Sequence, residues 1–186
     1  MKVAVYCGSS SGECSMYVEE TKALGEFLAQ NNIDVVYGGG KVGLMGIIAD
    51  TIMLNGGNVY GVIPEKLKEK ELAHTGITEL TIVKDMHERK AKMAEMADAF
   101  ITLPGGAGTL EEIFEAWTWA QLGYHNKPCA FYNIGGFYDD LFNMIEKMTK
   151  TGFLKEEYLD MLINTSDLKS LIESIKNYEA PNEKWD

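Results

Sequence analysis

Short apolar runs alternate along the chain with longer segments in which apolar residues recur at helical spacing. Alternation of this kind predicts βαβ units, in which right-handed crossovers join parallel strands and helices cover both faces of the sheet. Uninterrupted runs such as VAVYC and AFITL fit strands that are buried on both faces. The pattern predicts strands at 3–6, 33–37, 58–62, 80–83, 99–103 and 129–132, and helices at 16–30, 43–55, 88–97, 110–122, 138–149 and 167–177.

The predicted fold class is α/β, a Rossmann-like doubly wound parallel sheet of six or seven strands with helices on both faces. We expect one domain over residues 1–178, followed by a polar tail at 179–186 without fixed structure, and residues 164–166 (NTS) offer an N-cap for the last helix. The segment 64–76 (PEKLKEKELAHTG) departs from the alternation because it is charged and poor in apolar residues. It is interpreted either as a solvated connection or short surface helix, or as a loop that covers a ligand at the carboxyl edge of the sheet, where open α/β sheets bind their ligands.

The charge of the chain excludes some classes of partner. The 186 residues carry a formal net charge of −11. General nucleic-acid binding and binding to anionic membranes both need a positive surface, so neither is expected. No stretch approaches the ~20 apolar residues of a membrane span, and we recognise no secretion signal. The three cysteines and three histidines lack the spacings typical of metal sites, which predicts reduced thiols, a cytoplasmic location and no metal.

Three glycine-rich loops each join a predicted strand to a predicted helix, at 8–12, 38–46 and 104–109. Glycines let backbone N–H groups approach an anion, and a helix N-terminus adds the positive end of its dipole. One such loop can be merely a tight turn, but three at one sheet edge predict a nucleotide-like or phosphorylated ligand. The P-loop pattern is absent, and the GxGxxG spacing of Gly38, Gly40 and Gly43 follows the second strand without a suitably placed acidic residue. An NAD(P)-dependent oxidoreductase is therefore disfavoured.

Arg89 is the only arginine among 17 basic residues. Its planar fork can bind a phosphate or a carboxylate through two hydrogen bonds, which lysine cannot do. The alternative is a surface arginine that pairs with Asp85 or Glu95. Because Arg89 opens the helix after the fourth strand, again at the carboxyl edge, a role in the ligand site is favoured.

Glu111 and Glu112 follow the third glycine loop. Thr109 and Glu112 have the spacing of a capping box, in which Glu112 would only satisfy backbone N–H groups. The alternative is a carboxylate beside a bound sugar phosphate, where it would stabilise positive charge that develops on the ribose.

Aromatic residues on the helix at 110–122, together with Met93 and Met96 on the preceding helix, predict more apolar surface than one small sheet can cover. Closed two-fold symmetry is the common way to cover such a surface, which predicts a homodimer. The aromatic residues in question, interpreted as core or subunit contacts rather than as a base-stacking surface, are Phe114, Trp117 and Trp119.

Three motifs together resemble those of the LOG ("Lonely guy") family: VYGGGxxGLMG at 36–46, MHERK at 86–90 and PGGxGTxxE at 104–112. The resemblance extends over about 2–177. Members are cytokinin riboside 5′-monophosphate phosphoribohydrolases, often mislabelled as lysine decarboxylases. The resemblance implies a Rossmann-like homodimer that hydrolyses the N-glycosidic bond of a purine riboside 5′-monophosphate, such as a cytokinin riboside monophosphate or AMP. It implies no cofactor, and no residue pattern supports a pyridoxal phosphate site.

The resemblance assigns catalytic roles to Arg89 and Glu112, and substrate contacts to Lys90, Thr118, the loop 106–112 and, in the charged segment, Glu71. Two departures from many plant members, Ala107 in place of a larger residue and KEK at 68–70 in place of Met-Pro-Arg, bear on base specificity. A non-catalytic nucleotide or cofactor carrier of the same fold is the alternative, but it would need neither the arginine nor the glutamate. With the glycine loops included, the candidate substrate-binding residues are Glu71, Lys90, Gly105, Gly106, Ala107, Gly108, Thr109, Leu110, Glu111, Thr118, Gly8, Ser9, Gly40, Gly43 and Met45.

Overall fold

Every apolar run predicted as a strand lies in one sheet of the computed structural model, which describes residues 1–68 and 72–181. The strands are β1 (Lys2–Tyr6), β2 (Asp34–Tyr37), β3 (Val59–Pro64), β4 (Glu79–Val83), β5 (Ala99–Thr102), β6 (Cys129–Tyr132) and β7 (Leu162–Thr165). Within the described residues all seven are parallel, in the order β4-β3-β2-β1-β5-β6-β7. The central strands are buried along most of their length, as their apolar sequences predict. The doubly wound α/β fold is therefore confirmed.

Helices connect these strands, and their ends differ from the predicted ends by at most three residues. The helices of the described residues are α1 (Ser15–Gln30), α2 (Gly43–Leu54), α3 (Glu65–Lys68), α4 (Met86–Met96), α5 (Ala107–Gln121), α6 (Asp139–Lys150), α7 (Glu156–Leu159) and α8 (Leu168–Lys176), with a 3-10 turn at Ile134–Gly136. The individual runs predicted neither β7 nor α7. The strand is a half-exposed edge strand and the helix has four residues, so neither has an apolar period long enough to recognise.

The predicted N-cap of the last helix is wrong by one to three residues. Asn164 and Thr165 belong to β7, and Asp167 caps α8 by accepting a hydrogen bond of 2.7 Å from the backbone N–H of Ser170. This hydrogen bond, together with one to the side chain of Ser170, lowers the pKa of Asp167. An aspartate one residue beyond the predicted cap supplies the same oxygen acceptor.

The three glycine loops meet at the carboxyl edge, as predicted. They follow β2, β1 and β5, which are neighbours in the sheet. The backbone N–H of Gly8 donates to the carbonyl of Pro104 (3.1 Å), and the carbonyl of Gly8 accepts from the N–H of Leu44 (3.1 Å). The strand order changes direction between β1 and β5, and ligands of open α/β sheets bind at such a switch point.

Each face of the sheet has its own apolar core. One core includes Leu24 of α1 and Ile48 of α2, and the other includes Met93 of α4 and Trp117 of α5. Met93 corrects the predicted subunit surface because it is buried within one chain, and the burial of Trp117 favours the core over the subunit contact for that residue. The indole N–H of Trp117 donates to the carbonyl of Tyr158 (2.9 Å), which holds the ring inside. Among the described residues, every helix is too short or too polar to cross a bilayer.

Candidate active site

A cavity of about 240 Å³ opens at the carboxyl edge between α4, α5 and the first two glycine loops. Predicted and unpredicted residues share its wall. The predicted ones are Gly8, Ser9, Met45, Arg89, Gly106, Gly108, Thr109, Glu111 and Glu112, and the others are Cys7, Leu67 and Met86. The cavity thus combines the glycine loops with the two residues to which the resemblance assigns catalysis.

Arg89 points into the sheet edge rather than into solvent, with 5% of its surface exposed. Its Nη2 donates to the carbonyl of Gly38 (3.3 Å) and lies 3.8 Å from Oε1 of Glu112. The alternative of a surface ion pair is wrong. The carboxylate of Asp85 caps α4 by accepting from two backbone N–H groups, which lower its pKa, and Glu95 pairs with a lysine on the outer face.

Gly38 is a residue of the site that the sequence reasoning missed. A Cβ atom at this position would overlap Nη2 of Arg89 and approach the sulfur of Met45 to 3.3 Å. Absence of a side chain therefore makes room for the guanidinium. The triple glycine of the second loop is the sequence feature that indicates this space, although glycines in such a loop also fit the binding of an anion.

The capping-box interpretation of Glu112 is wrong, because α5 begins earlier than the pattern suggested. Gly106 is the N-cap and Ala107 the first helical residue, so Thr109 already lies inside the first turn. The N-cap residue Gly106 gives this helix end no side-chain hydrogen bond. The first backbone N–H groups of α5 follow the glycine loop and lie at the positive end of the helix dipole. This is the usual arrangement for binding an anion.

Lys90 lies between α4 and α5 and is 7% exposed. Its Nζ is 2.6 Å from Oε1 of Glu111 and 2.9 Å from Oε2 of Glu115. Burial alone would lower the pKa of Lys90, but hydrogen bonds to the two carboxylates outweigh burial and raise it. In this chain the lysine is thus engaged in a two-carboxylate ion pair beside the cavity.

Three of the other predicted contacts, Gly40, Gly43 and Thr118, are not among the described residues that line the cavity. Gly40 pairs with Ala73 in an isolated bridge, and a Cβ on Gly43 would overlap the backbone of Ser9, so both glycines allow close contact between backbone segments. Thr118 is exposed, and its hydroxyl donates to the carbonyl of Phe114. Thr118 itself lies about 13 Å along α5 from Thr109.

The remaining predicted residues lie at the start of α5 and in the charged segment. Gly105 lines a neighbouring cavity of about 300 Å³ with Tyr17 and Phe137. Ala107 is exposed at the first turn, and Leu110 packs half-buried against the core. Glu71 lies outside the described residues.

In the charged segment the short surface helix is confirmed at Glu65–Lys68, and the loop that covers a ligand stays a prediction. Helix α3 exposes its charged side chains, whereas its Leu67 lines the cavity. Cys7 is buried at the cavity wall, where burial and the charge of Glu112 raise the pKa of its thiol. A thiol held protonated is a poor nucleophile. The described residues contain no cluster of His, Cys, Asp and Glu arranged to hold a metal ion.

Comparison with known proteins shows the family. Residues 45–175 match the family described as "Possible lysine decarboxylase". The cytokinin riboside 5′-monophosphate phosphoribohydrolase LOG3 of Arabidopsis thaliana is 42% identical over 183 residues, which cover 98% of this chain and 85% of that protein. The chain belongs to the LOG family. The LOG protein of Oryza sativa subsp. japonica, with the same phosphoribohydrolase name, is 42% identical over 177 residues and matches 95% of this chain and 73% of its own length.

The similarity of this chain to solved structures concerns the fold alone. The molybdenum cofactor carrier protein of Chlamydomonas reinhardtii aligns with a TM-score of 0.69 over 94% of this chain and 95% of its own, at 15% identity. The molybdenum cofactor binding protein of Rippkaea orientalis aligns with a TM-score of 0.69 at 17% identity, over 94% of each chain. This LOG-family chain therefore shares its architecture with carrier proteins.

Proposed function

We propose that the protein is a phosphoribohydrolase that hydrolyses the N-glycosidic bond of a purine riboside 5′-monophosphate and releases the free base and ribose 5-phosphate. Relatives that carry this activity in their names are 42% identical over nearly the whole chain. The observation that carries the proposal is the pair of Arg89, which is buried, and Glu112, whose side chain is 12% exposed, beside the N-terminus of α5.

The proposed mechanism begins with binding of the phosphate. The backbone N–H groups at 106–109 and the dipole of α5 receive the phosphate, which places the ribose over the next turn of the helix. Glu112 lies about one turn beyond Thr109, and it lines the cavity. Its carboxylate then faces the ring carbon that is attacked.

Bond cleavage follows the chemistry of glycosidic bonds. The C1′–N9 bond breaks, its electron pair leaves with the purine, and positive charge develops on the ribose. Glu112 stabilises this charge and orients a water molecule, whose oxygen forms the new bond to C1′ while one of its protons is released and the base becomes protonated. Arg89 keeps the carboxylate in place and adds positive charge that attracts the phosphorylated substrate.

The base fits the apolar part of the wall. Met45, Leu67 and Met86 provide a surface of sulfur and methyl groups beside the two catalytic candidates. Such side chains adapt to a planar aromatic ring. We propose adenine and N6-substituted adenines as the base, so that AMP and cytokinin riboside monophosphates are both candidate substrates.

The test is to incubate the protein with AMP, GMP and isopentenyladenosine 5′-monophosphate and to detect the released base by chromatography. Release of base from at least one of them, and none from the matching nucleosides without phosphate, supports the proposal. Nucleotide binding by calorimetry without any release would instead identify a carrier.

We also propose a homodimer and a cytoplasmic location. Phe114 and Trp119 on α5 remain half-buried, and Tyr124 after α5 is 75% exposed. A cavity of about 450 Å³ lies between these last two aromatic residues and α4. This surface supports association with a second copy. The described cysteines are all free thiols, which is typical of reducing compartments.

A further inference from the structure

Residues 72–76 fold back onto the second glycine loop, and we call this segment the strap. The backbone N–H of Lys41 donates to the carbonyl of Leu72 (3.0 Å), and the N–H of His74 donates to the carbonyl of Gly39 (2.9 Å). Between these two hydrogen bonds lies the antiparallel bridge of Gly40 and Ala73. The strap thus holds the second glycine loop through backbone contacts.

The side chain of His74 anchors the strap and is 4% exposed. Its Nδ1 accepts a hydrogen bond of 3.0 Å from the N–H of Gly76, so the proton of the neutral ring is on Nε2. Nε2 lies 2.9 Å from Oδ1 of Asp50 on α2 and donates to it. Both ring nitrogens are therefore hydrogen-bonded. The side chain joins the strap to α2, the helix that follows the second glycine loop.

The strap is connected to the cavity from two directions. Gly39, which it holds, directly follows Gly38, whose carbonyl accepts the hydrogen bond from Arg89. At its other end, the N–H of Ala73 donates to the carbonyl of Lys68 (3.0 Å), at the end of the helix that carries Leu67 into the wall. Displacement of the strap would therefore move both the support of the guanidinium and one side of the cavity.

We propose that His74 and Asp50 are positioning residues, a latch that holds the strap and thereby sets the position of Arg89 and Leu67 for the reaction. The inference rests on the proposed hydrolysis of nucleoside monophosphates. Neither latch residue lines the cavity among the described residues, so the latch acts through backbone hydrogen bonds rather than by touching the substrate.

The kinetic test compares His74→Ala, Asp50→Ala and Asp50→Asn with the wild type. A control of the same kind is Asn58→Ala, because Asn58 donates to Asp34 (3.0 Å) across the same sequence separation of 24 residues, at the opposite edge of the sheet. We expect His74→Ala and Asp50→Ala to lower kcat/KM at least about tenfold, with an increase in KM, since small displacements of reacting groups are costly. Asp50→Asn retains an oxygen acceptor for Nε2 and should stay within about threefold of the wild type, as should the control.

Amide hydrogen exchange gives a second readout that does not depend on turnover. His74→Ala and Asp50→Ala should lose protection at Lys41, Ala73 and the backbone of residue 74, while the amides of β1 and β5 keep theirs. Unchanged protection in both variants would overturn the latch. A decrease in kcat without an increase in KM, equal to the decrease in Asn58→Ala, would overturn it too. If the wild type releases no base from any nucleotide, the proposed function fails, and the exchange result alone decides whether the latch exists. Asp50 is exposed, so its variants test the idea even where His74→Ala does not fold.

Discussion

Nη2 of Arg89 lies 3.8 Å from Oε1 of Glu112, and the two side chains are 6% and 12% exposed. The residues come from different helices, each of which begins after a strand at the carboxyl edge. Two opposite charges withdrawn from water depend on one another, because removal of either leaves the other poorly solvated. The pair therefore links the geometry of the cavity to the charge that the proposed reaction needs.

The first prediction concerns Glu112→Gln. The amide cannot supply the negative charge that stabilises the developing positive charge on the ribose. We expect loss of at least ~3 kcal/mol of transition-state stabilisation, about a hundredfold in turnover. Folding should be retained, because Gly106 rather than a capping box begins α5. Turnover and melting temperature are measured together.

The control for this variant is Glu95→Gln, which changes a carboxylate that pairs with Lys92 at 3.1 Å on the outer face of α4. Its turnover should equal that of the wild type. Turnover of Glu112→Gln within about threefold of the wild type would show that Glu112 has no catalytic role.

The second prediction concerns Arg89→Lys. A lysine keeps the positive charge but cannot bind the carbonyl of Gly38 and face Glu112 with one rigid group. We expect kcat/KM to fall about a hundredfold, the cost of a misplaced reacting group. The matched control is Lys92→Arg, one turn along the same helix. Equal activity of Arg89→Lys and the wild type would mean that charge alone is sufficient.

The fold and the centre of the site could be predicted because their signals are local or unusual. Apolar runs of four to six residues identify the buried strands, and parallel strands bring glycine loops to one edge whatever their exact register. A single arginine in a chain that otherwise uses lysine was also informative. These features do not depend on how side chains pack.

The errors share the opposite property, because each depends on contacts between distant segments. The start of α5 is set by the glycine loop and not by Thr109, so the capping-box spacing was coincidental. The burial of Met93 and Trp117 follows from how α4 and α5 lie on the sheet. The role of Gly38 depends on Arg89, which is 51 residues away in the sequence and whose guanidinium occupies the space that a side chain at position 38 would fill.

The third prediction concerns assembly. Light scattering at micromolar concentration should give twice the chain mass of 20.7 kDa. Tyr124→Glu should shift the protein towards the monomer, because Tyr124 is 75% exposed on the proposed contact surface. The control is Phe153→Glu, whose ring is 90% exposed in the turn after α6. A monomeric wild type, or equal dissociation of both variants, would contradict the proposed dimer surface.

The fourth prediction concerns Lys90 and alkaline pH. Its pKa is raised in the folded protein above the ordinary value of 10.5, so its ion pairs contribute stability fully below that pH. The contribution is lost as the pH rises through the folded pKa. The difference in unfolding free energy between the wild type and Lys90→Met should therefore be constant from pH 7 to 9 and shrink above about pH 10.5. Urea denaturation across this range measures it. A difference that stays constant to pH 12 would show that packing of the lysine stem, rather than its charge, stabilises the protein.

The fifth prediction concerns Gly38→Ala, the smallest change that reaches the centre of the site. The new methyl group would overlap Nη2 of Arg89, so the guanidinium must move. We expect kcat/KM to fall by about a hundredfold, as for a misplaced reacting group. Gly56→Ala is the control, because Gly56 has a φ of +75° and open space around it. That substitution strains the backbone and should lower the melting temperature without changing turnover.

A double substitution separates displacement of Arg89 from general damage to the loop. In an Arg89→Ala background the guanidinium is gone, and the methyl group at position 38 keeps only its contact of 3.3 Å with the flexible side chain of Met45. Gly38→Ala should then cost little further activity, so the two losses are strongly non-additive. Additive losses would mean that Gly38 acts through the shape of its own loop. Non-additive losses, with turnover preserved in Gly56→Ala, would show that the second glycine loop contributes to the reaction by leaving room for a single side chain.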